Sequence, residues 1–209
     1  MPIRSYFFMA LLAVAGGASA QTLPKPVEFY FDTDAKATRP VVAIKGSDEA
    51  TMQRLAKLIE RKPDENIAEA QLAHLAMVAG RVELGRQLYA RAVAGMDSRD
   101  GEWRAVLWNY GWDLYRAGDD AGALAQWLPL ASSRGINASW MPTTFAMVLW
   151  SLDRKDEAVQ WYAAAVRTEP EQWRTTNRYR ELLPDWTDSE RATLAEVQAA
   201  WAAKPPSWP

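Results

Sequence analysis

Chemistry has few places to reside in this chain. Among 209 residues there is one histidine, His74, and no cysteine. No HExxH, GxSxG, phosphate-loop GK[ST] or SxxK stretch occurs. Thiol, metal–imidazole and serine–histidine chemistry therefore lack their parts, and the chain reads as non-enzymatic, with no cofactor and no metal. Asp32 and Asp34 are close enough to be paired carboxylates, but aspartates bordering a polar stretch are first of all turn residues. What the sequence does concentrate is aromatic surface, since all 11 tryptophans lie between Trp103 and Trp208. Trp108, Trp112 and Tyr115 follow i, i+4, i+7 spacing and share one face if the segment is helical. Such a stripe is either an open binding surface or core beneath another segment, and both readings stand.

Helices must position those rings, and residues 104–172 indicate how. Leu107, Tyr110, Gly111, Leu114, Ala123 and Trp127 recur, at a constant offset, as Pro142, Phe145, Ala146, Leu149, Ala158 and Tyr162, with Pro170 closing the second unit. Small residues at Gly111, Ala146, Ala123 and Ala158 let two helices approach near the short end of the usual ~8–10 Å. Trp127 and Trp161, at or beside the large packing position, read as core. Gly118-Asp119-Asp120 and Asp153-Arg154-Lys155 supply short polar turns that make neighbouring helices antiparallel. This pattern resembles the tetratricopeptide repeat (TPR), a helix-turn-helix unit of about 34 residues.

The rest of the chain is read around that pair. A weaker match covers residues 66–99, with Gly80-Arg81 as its turn and Glu69 and Gly85 as its irregular positions. A helix from Ser47 or Asp48 to about Lys62, closed by Pro63, serves as a capping half-repeat over 47–65. After the repeats at 104–137 and 139–172, a helix from Trp173 to Leu183 stops at Pro184. Thr187-Asp188-Ser189-Glu190 is a capping box that starts another helix, giving a degenerate C-terminal capping hairpin over 173–203. Residues 204–209 form a Pro-rich tail. Residues 21–46 differ in composition: Val27–Phe31 and Val41–Ile44 favour strand, as a hairpin or an irregular extended arm. Their apolar runs do not continue the helical period, which predicts that they are dispensable for the helical fold. The fold class is therefore all-α, a TPR-like solenoid with a short extended or hairpin N-terminal arm.

Residues 1–20 read as a secretory signal peptide: Arg4, an apolar run from Tyr6 to Ala15, and Ala18-Ser19-Ala20 before Gln21. The run is too short to span a bilayer. Its removal takes Lys+Arg from 24 to 23 against 26 Asp+Glu, so the net charge goes from −2 to −3. An acidic chain without a clustered basic field argues against nucleic acid and anionic membrane surfaces as partners. The expectation is an exported protein, periplasmic or secreted. Asn137-Ala138-Ser139 fits a glycosylation sequon and marks the loop between repeats.

The resemblance also implies a ligand-binding groove along the first helices of the repeats. By that register its candidates are His74 and Met77, then Trp108, Trp112, Tyr115 and Arg116, then Trp140, Met147 and Trp150. Only Arg116 matches the Lys, Asn and Arg set with which some relatives clamp a terminal carboxylate, so that mode is not expected. The implied function is a protein–protein interaction scaffold of the cell envelope binding a peptide segment. A glycan- or peptidoglycan-binding module is the alternative, because aromatic rings also stack on sugar faces. The same groove accommodates the tail's Trp208 as an internal occupant.

Overall fold

The computed structural model describes residues 21–133 and 135–207; the leader expected over 1–20 and the tail's Trp208 lie outside the described residues. Among the described residues the chain is all-α, with ten helices and no strand. These are α1 (Glu49–Arg61), α2 (Asn66–Val78), α3 (Val82–Ala94), α4 (Gly101–Arg116), α5 (Asp120–Ser132), α6 (Met141–Ser151), α7 (Lys155–Thr168), α8 (Pro170–Trp173), α9 (Tyr179–Leu182) and α10 (Asp188–Ala203). The starts are chemical. Asp48 accepts the Thr51 N–H at 2.8 Å, Asp100 the Glu102 N–H at 2.9 Å and Asp119 the Gly122 N–H at 2.8 Å. Each satisfies a donor that the first helical turn leaves unpaired. At α10, Thr187 and Glu190 form the reciprocal capping box.

Adjacent helices pair most extensively as α2 with α3, α4 with α5 and α6 with α7. All three pairs turn through one device. Gly80, Gly118 and Asp153 hold φ of 77°, 81° and 58°. The N–H of the next residue, Arg81, Asp119 or Arg154, reaches back five residues to the carbonyl of Ala76, Leu114 or Leu149 at 2.8 to 2.9 Å. The left-handed residue's own N–H bonds the carbonyl three residues back. This is the Schellman arrangement, which satisfies carbonyls that the helix end would otherwise leave open. Glycine reaches that conformation without steric cost, and aspartate is among the few other residues that tolerate it.

The pairs close over small residues. A Cβ at Gly111 would lie 2.2 Å from Trp127 Nε1, so α4 touches the α5 indole with bare backbone. Ala123, Ala146 and Ala158 are wholly buried, as are Trp127 and Tyr162. Ala158→Leu is expected to cost about 1–3 kcal/mol by overfilling its contact. An unchanged melting temperature would show that Ala158 has spare volume beside it.

Two expectations about the ends are corrected. Trp173 to Leu183 is not one helix; only the single turns α8 and α9 form, and α10 alone packs across α6 and α7. Trp173 and Tyr179 are both buried, with rings 6.0 Å apart, and Tyr179 shares a 2.7 Å hydroxyl contact with Tyr162. Six residues along a continuous helix would set those two side chains about 120° apart, so the segment breaks to bring them together. The break falls on Arg174 to Arg178, where Thr175, Thr176 and Asn177 are weak helix formers.

The arm takes the irregular extended form of the two expected, and the second correction concerns its separateness from the core. Residues 21–46 carry neither hairpin nor strand, only one isolated bridge between Asp32 and Ala138. Yet the arm belongs to the core: Tyr30, Ala37 and Val41 are buried. Asp34 forms an ion pair with Arg104 of α4, their side chains 0% and 4% exposed, and accepts the Trp140 indole N–H at 3.2 Å. The turn reading of Asp32 is correct in detail, since its carboxylate accepts the Asp34 N–H at 2.7 Å. Gln71 of α2 fixes the far end by accepting the Ala43 and Ile44 N–H groups at 2.7 and 2.9 Å and donating to the Ile44 carbonyl at 2.7 Å. Removing the arm would strand a buried guanidinium, so dispensability does not follow from the missing helical period.

Candidate functional site: an aromatic cleft beside His74

The rings of α4 face two other segments. Trp108 and Trp112 meet edge to face at 5.7 Å, and both lean on buried Trp127 of α5 at 6.1 and 5.1 Å. Trp186, from the stretch after α9, packs on Trp112 at 5.2 Å, and Trp140 packs on Trp108 at 5.0 Å. Aromatic pairs at these separations add attraction beyond the area they bury. The stripe is thus partly covered, by Leu182–Trp186 on one side and by the arm at Thr38 and Pro40 on the other. Between the covers a cleft of about 450 Å3 remains, reaching His74, Trp108, Asn109, Trp112, Asp113 and Arg116.

Of the nine groove candidates, His74, Trp108, Trp112 and Arg116 come together in this cleft. Trp140 is buried and lines a smaller adjoining cleft of about 310 Å3, which shares Trp108, Thr38 and Trp186 with the first. Tyr115 stacks edge-on against Trp112 at 6.3 Å, its hydroxyl 3.0 Å from that of Ser151. The other three lie elsewhere. Met147 is fully buried core, and buried Met77 fills the space above Gly85, where a Cβ would meet its Cγ at 2.1 Å. Trp150 donates its indole N–H to Glu196 of α10 at 2.7 Å beneath the Lys155 ammonium, 3.8 Å from the ring centre.

Asp113 is the residue that the groove register misses. It follows Trp112 at an inward position, where the same register places Leu75 in α2 and Val148 in α6. A carboxylate there needs partners, and it has two. His74 Nδ1 lies 2.9 and 3.0 Å from its oxygens, and buried Tyr89 of α3 donates its hydroxyl at 2.7 Å. Three helices therefore converge on one carboxylate. The hydrogen bond to Asp113, the strongest influence, raises the His74 pKa above its ordinary 6.5 against the opposing effects of burial and Arg116. Burial first, then the Asp113 charge, raises the Tyr89 phenol well above its usual value. A charged residue inside an apolar helix pattern was the available sequence signal.

A His pKa raised on folding stabilises the folded state below the unfolded pKa, and that stability is lost as pH rises through the raised value. The melting-temperature advantage of the native chain over His74→Gln is accordingly expected to be largest near pH 6 and to shrink towards pH 9, within roughly the range where imidazole titrates. An advantage independent of pH across that range would remove the proton linkage.

Arg116 is committed to structure. Its guanidinium pairs with buried Glu190 of the α10 capping box at 2.8 Å, donates to the Asp185 carbonyl at 3.1 Å and lies over the Trp112 ring at 5.2 Å. Asn109 spends its amide N–H groups on the Arg39 and Ala105 carbonyls at 2.9 and 2.8 Å. Among the described residues there is no cluster of three or more His, Cys, Asp or Glu that could hold a metal ion. None of the described helices is long and apolar enough to cross a membrane. Ser207, the last described residue, lines a separate cleft of about 490 Å3 with Leu23, Pro24, Pro26 and Trp161. No protein-family model matches the chain, and neither a curated protein nor a solved structure matches it. The cleft therefore carries the functional reading.

Proposed function

We propose that the protein is an exported interaction module of the TPR-like helical-hairpin kind, binding a peptide segment of a partner protein in the cleft beside His74. One observation carries this: His74, Trp108, Trp112 and Arg116, four positions that the repeat register assigns to a binding groove, line one cleft of about 450 Å3. Three helix pairs closed by the same Schellman turn support the repeat reading. The cleft is of the size that takes one or two side chains, and its lining is divided between seven apolar residues and six polar or charged ones, which can both bury and orient a ligand group. In this reading the module is a non-enzymatic scaffold of the cell envelope.

A peptide-display selection on the immobilised protein, counter-selected on Trp108→Ala, tests the proposal. Sequences sharing a motif should survive on the native chain and be lost on the variant. If no motif is enriched and soluble peptidoglycan fragments instead shift the tryptophan emission, the glycan-binding alternative replaces this reading.

A further inference from the structure

The hydrogen-bonding groups left unspent in the cleft state what it is built to receive. Carboxylate oxygens only accept, so the His74 nitrogen facing Asp113 must carry the proton. The neutral imidazole is thereby fixed with a lone pair on Nε2, which has no hydrogen-bond partner among the described residues, both His74 contacts being made by Nδ1, and belongs to a side chain 40% exposed. Asn109 gives both amide hydrogens to the protein, leaving Oδ1 as an acceptor. Asp185 is exposed, and its carboxylate makes no ion pair with the described residues. Arg116, the one permanent cation among the described residues lining the cleft, is neutralised by Glu190. What remains is a set of acceptors, one of them charged, beside the half-buried Trp108 ring and its indole neighbours.

Resting on the peptide-binding reading, we propose that the cleft selects a basic side chain, a guanidinium or ammonium, held by His74 Nε2, Asn109 Oδ1 and the Asp185 carboxylate against Trp108, and that a proton on His74 expels it. Charge complementarity carries the choice. A cation supplies several donors and is attracted by an aromatic face. An acidic side chain would meet Asp185, with no free guanidinium or ammonium among the described residues lining the cleft to answer it. Protonation turns Nε2 from acceptor to donor and adds a like charge. The charged and titratable groups around His74 are few: Asp113 and Arg116 on α4, Tyr89 on α3 through Asp113, Asp185 before α10, and Glu190 behind Arg116. The arm contributes Thr38 and Pro40, neither charged.

His74 is the chain's only histidine, so its imidazole resonance reports on this site alone. The probes are capped tripeptides, Ala-Arg-Ala and its glutamate and norleucine counterparts, titrated into the full chain. The arginine probe is expected to shift the imidazole resonance, lower its pKa and bind about tenfold more weakly at pH 5.5 than at pH 8, because one proton displaces one cation. Asp185→Asn, in an exposed loop, should weaken that probe several-fold. His74→Gln, which cannot titrate and no longer presents Nε2, should bind the arginine probe more weakly than the native chain at pH 8 and show a flattened pH dependence. Tighter binding of the glutamate probe, an equal pH dependence in His74→Gln, or an imidazole unmoved by all three probes overturns the proposal. If display selection yields cleft-binding peptides without a basic residue, this selectivity fails while the peptide-binding function stands. If it yields no peptide at all, that function fails first.

Discussion

Asp34→Ala is expected to destabilise the fold by about 3–5 kcal/mol, the range seen when one member of a buried ion pair is removed. The cost comes from what stays behind. Arg104 is 4% exposed, and its remaining partners, the Leu130 carbonyl and the Ser133 hydroxyl, are neutral. They satisfy hydrogens without balancing a charge. Asp34 Oδ1 and Arg104 Nε are themselves buried without partners, so the pair is held short of full satisfaction. Replacing both residues, as Asp34→Ala with Arg104→Met, should therefore recover most of the loss, because it removes the stranded charge as well. Denaturant unfolding of the two single variants and the double variant decides the matter. Strictly additive losses would show that Asp34 acts through the arm's backbone and not through the guanidinium.

Gly111→Ala is the second large effect. A single methyl placed 2.2 Å from Trp127 Nε1 and 2.6 Å from its Cε2 cannot be absorbed by a small rotation, since that indole is fully buried against Trp108, Trp112 and Tyr115. The helix-propensity gain of about 1 kcal/mol for Gly→Ala opposes the clash, and overpacking of a tight core costs about 1–3 kcal/mol or more. A net loss is expected, with the α4 and α5 axes forced apart and the Trp127 N–H pulled off the Trp108 carbonyl, its 3.3 Å partner. Thermal melting and near-ultraviolet circular dichroism would report both. A melting temperature at or above the native value would mean that the α4–α5 contact yields easily.

These cases also show what sequence can display. Helix positions were legible because period, cap and turn agree locally: Asp48 and the Thr187–Glu190 box sit at starts, and Gly80, Gly118 and Asp153 at ends. The close approach at Gly111 was legible too, since a small residue facing a large one recurs in both units. Asp34 was not, because its partner lies 70 residues away while the cations near it in sequence, Lys36 and Arg39, are not its partners. The aromatic stripe announced an important face on α4 without stating its cover. Trp186 and the Thr38–Pro40 stretch reach it from outside the repeat pattern. His74 was visible as the single imidazole, but its Asp113 bond depends on how α2 and α4 pack.

The arm bears on how the molecule opens. Helix pairs that touch one another less than their own two helices do, as here, can open one at a time. The irregular arm is bonded to α2 through Gln71, to α4 through Asn109 and Arg104, to the α5–α6 loop through Asn137 and to α7 through Thr168. It works as a clasp across the three pairs. None of them can swing away without releasing the arm that the others also hold, so hydrogen exchange in α2 to α7 should approach a single protection level. Assembly carries the complementary burden: the arm is synthesised before its partners, which follow as far as 138 positions later, so closing the clasp is a late and slow event in folding.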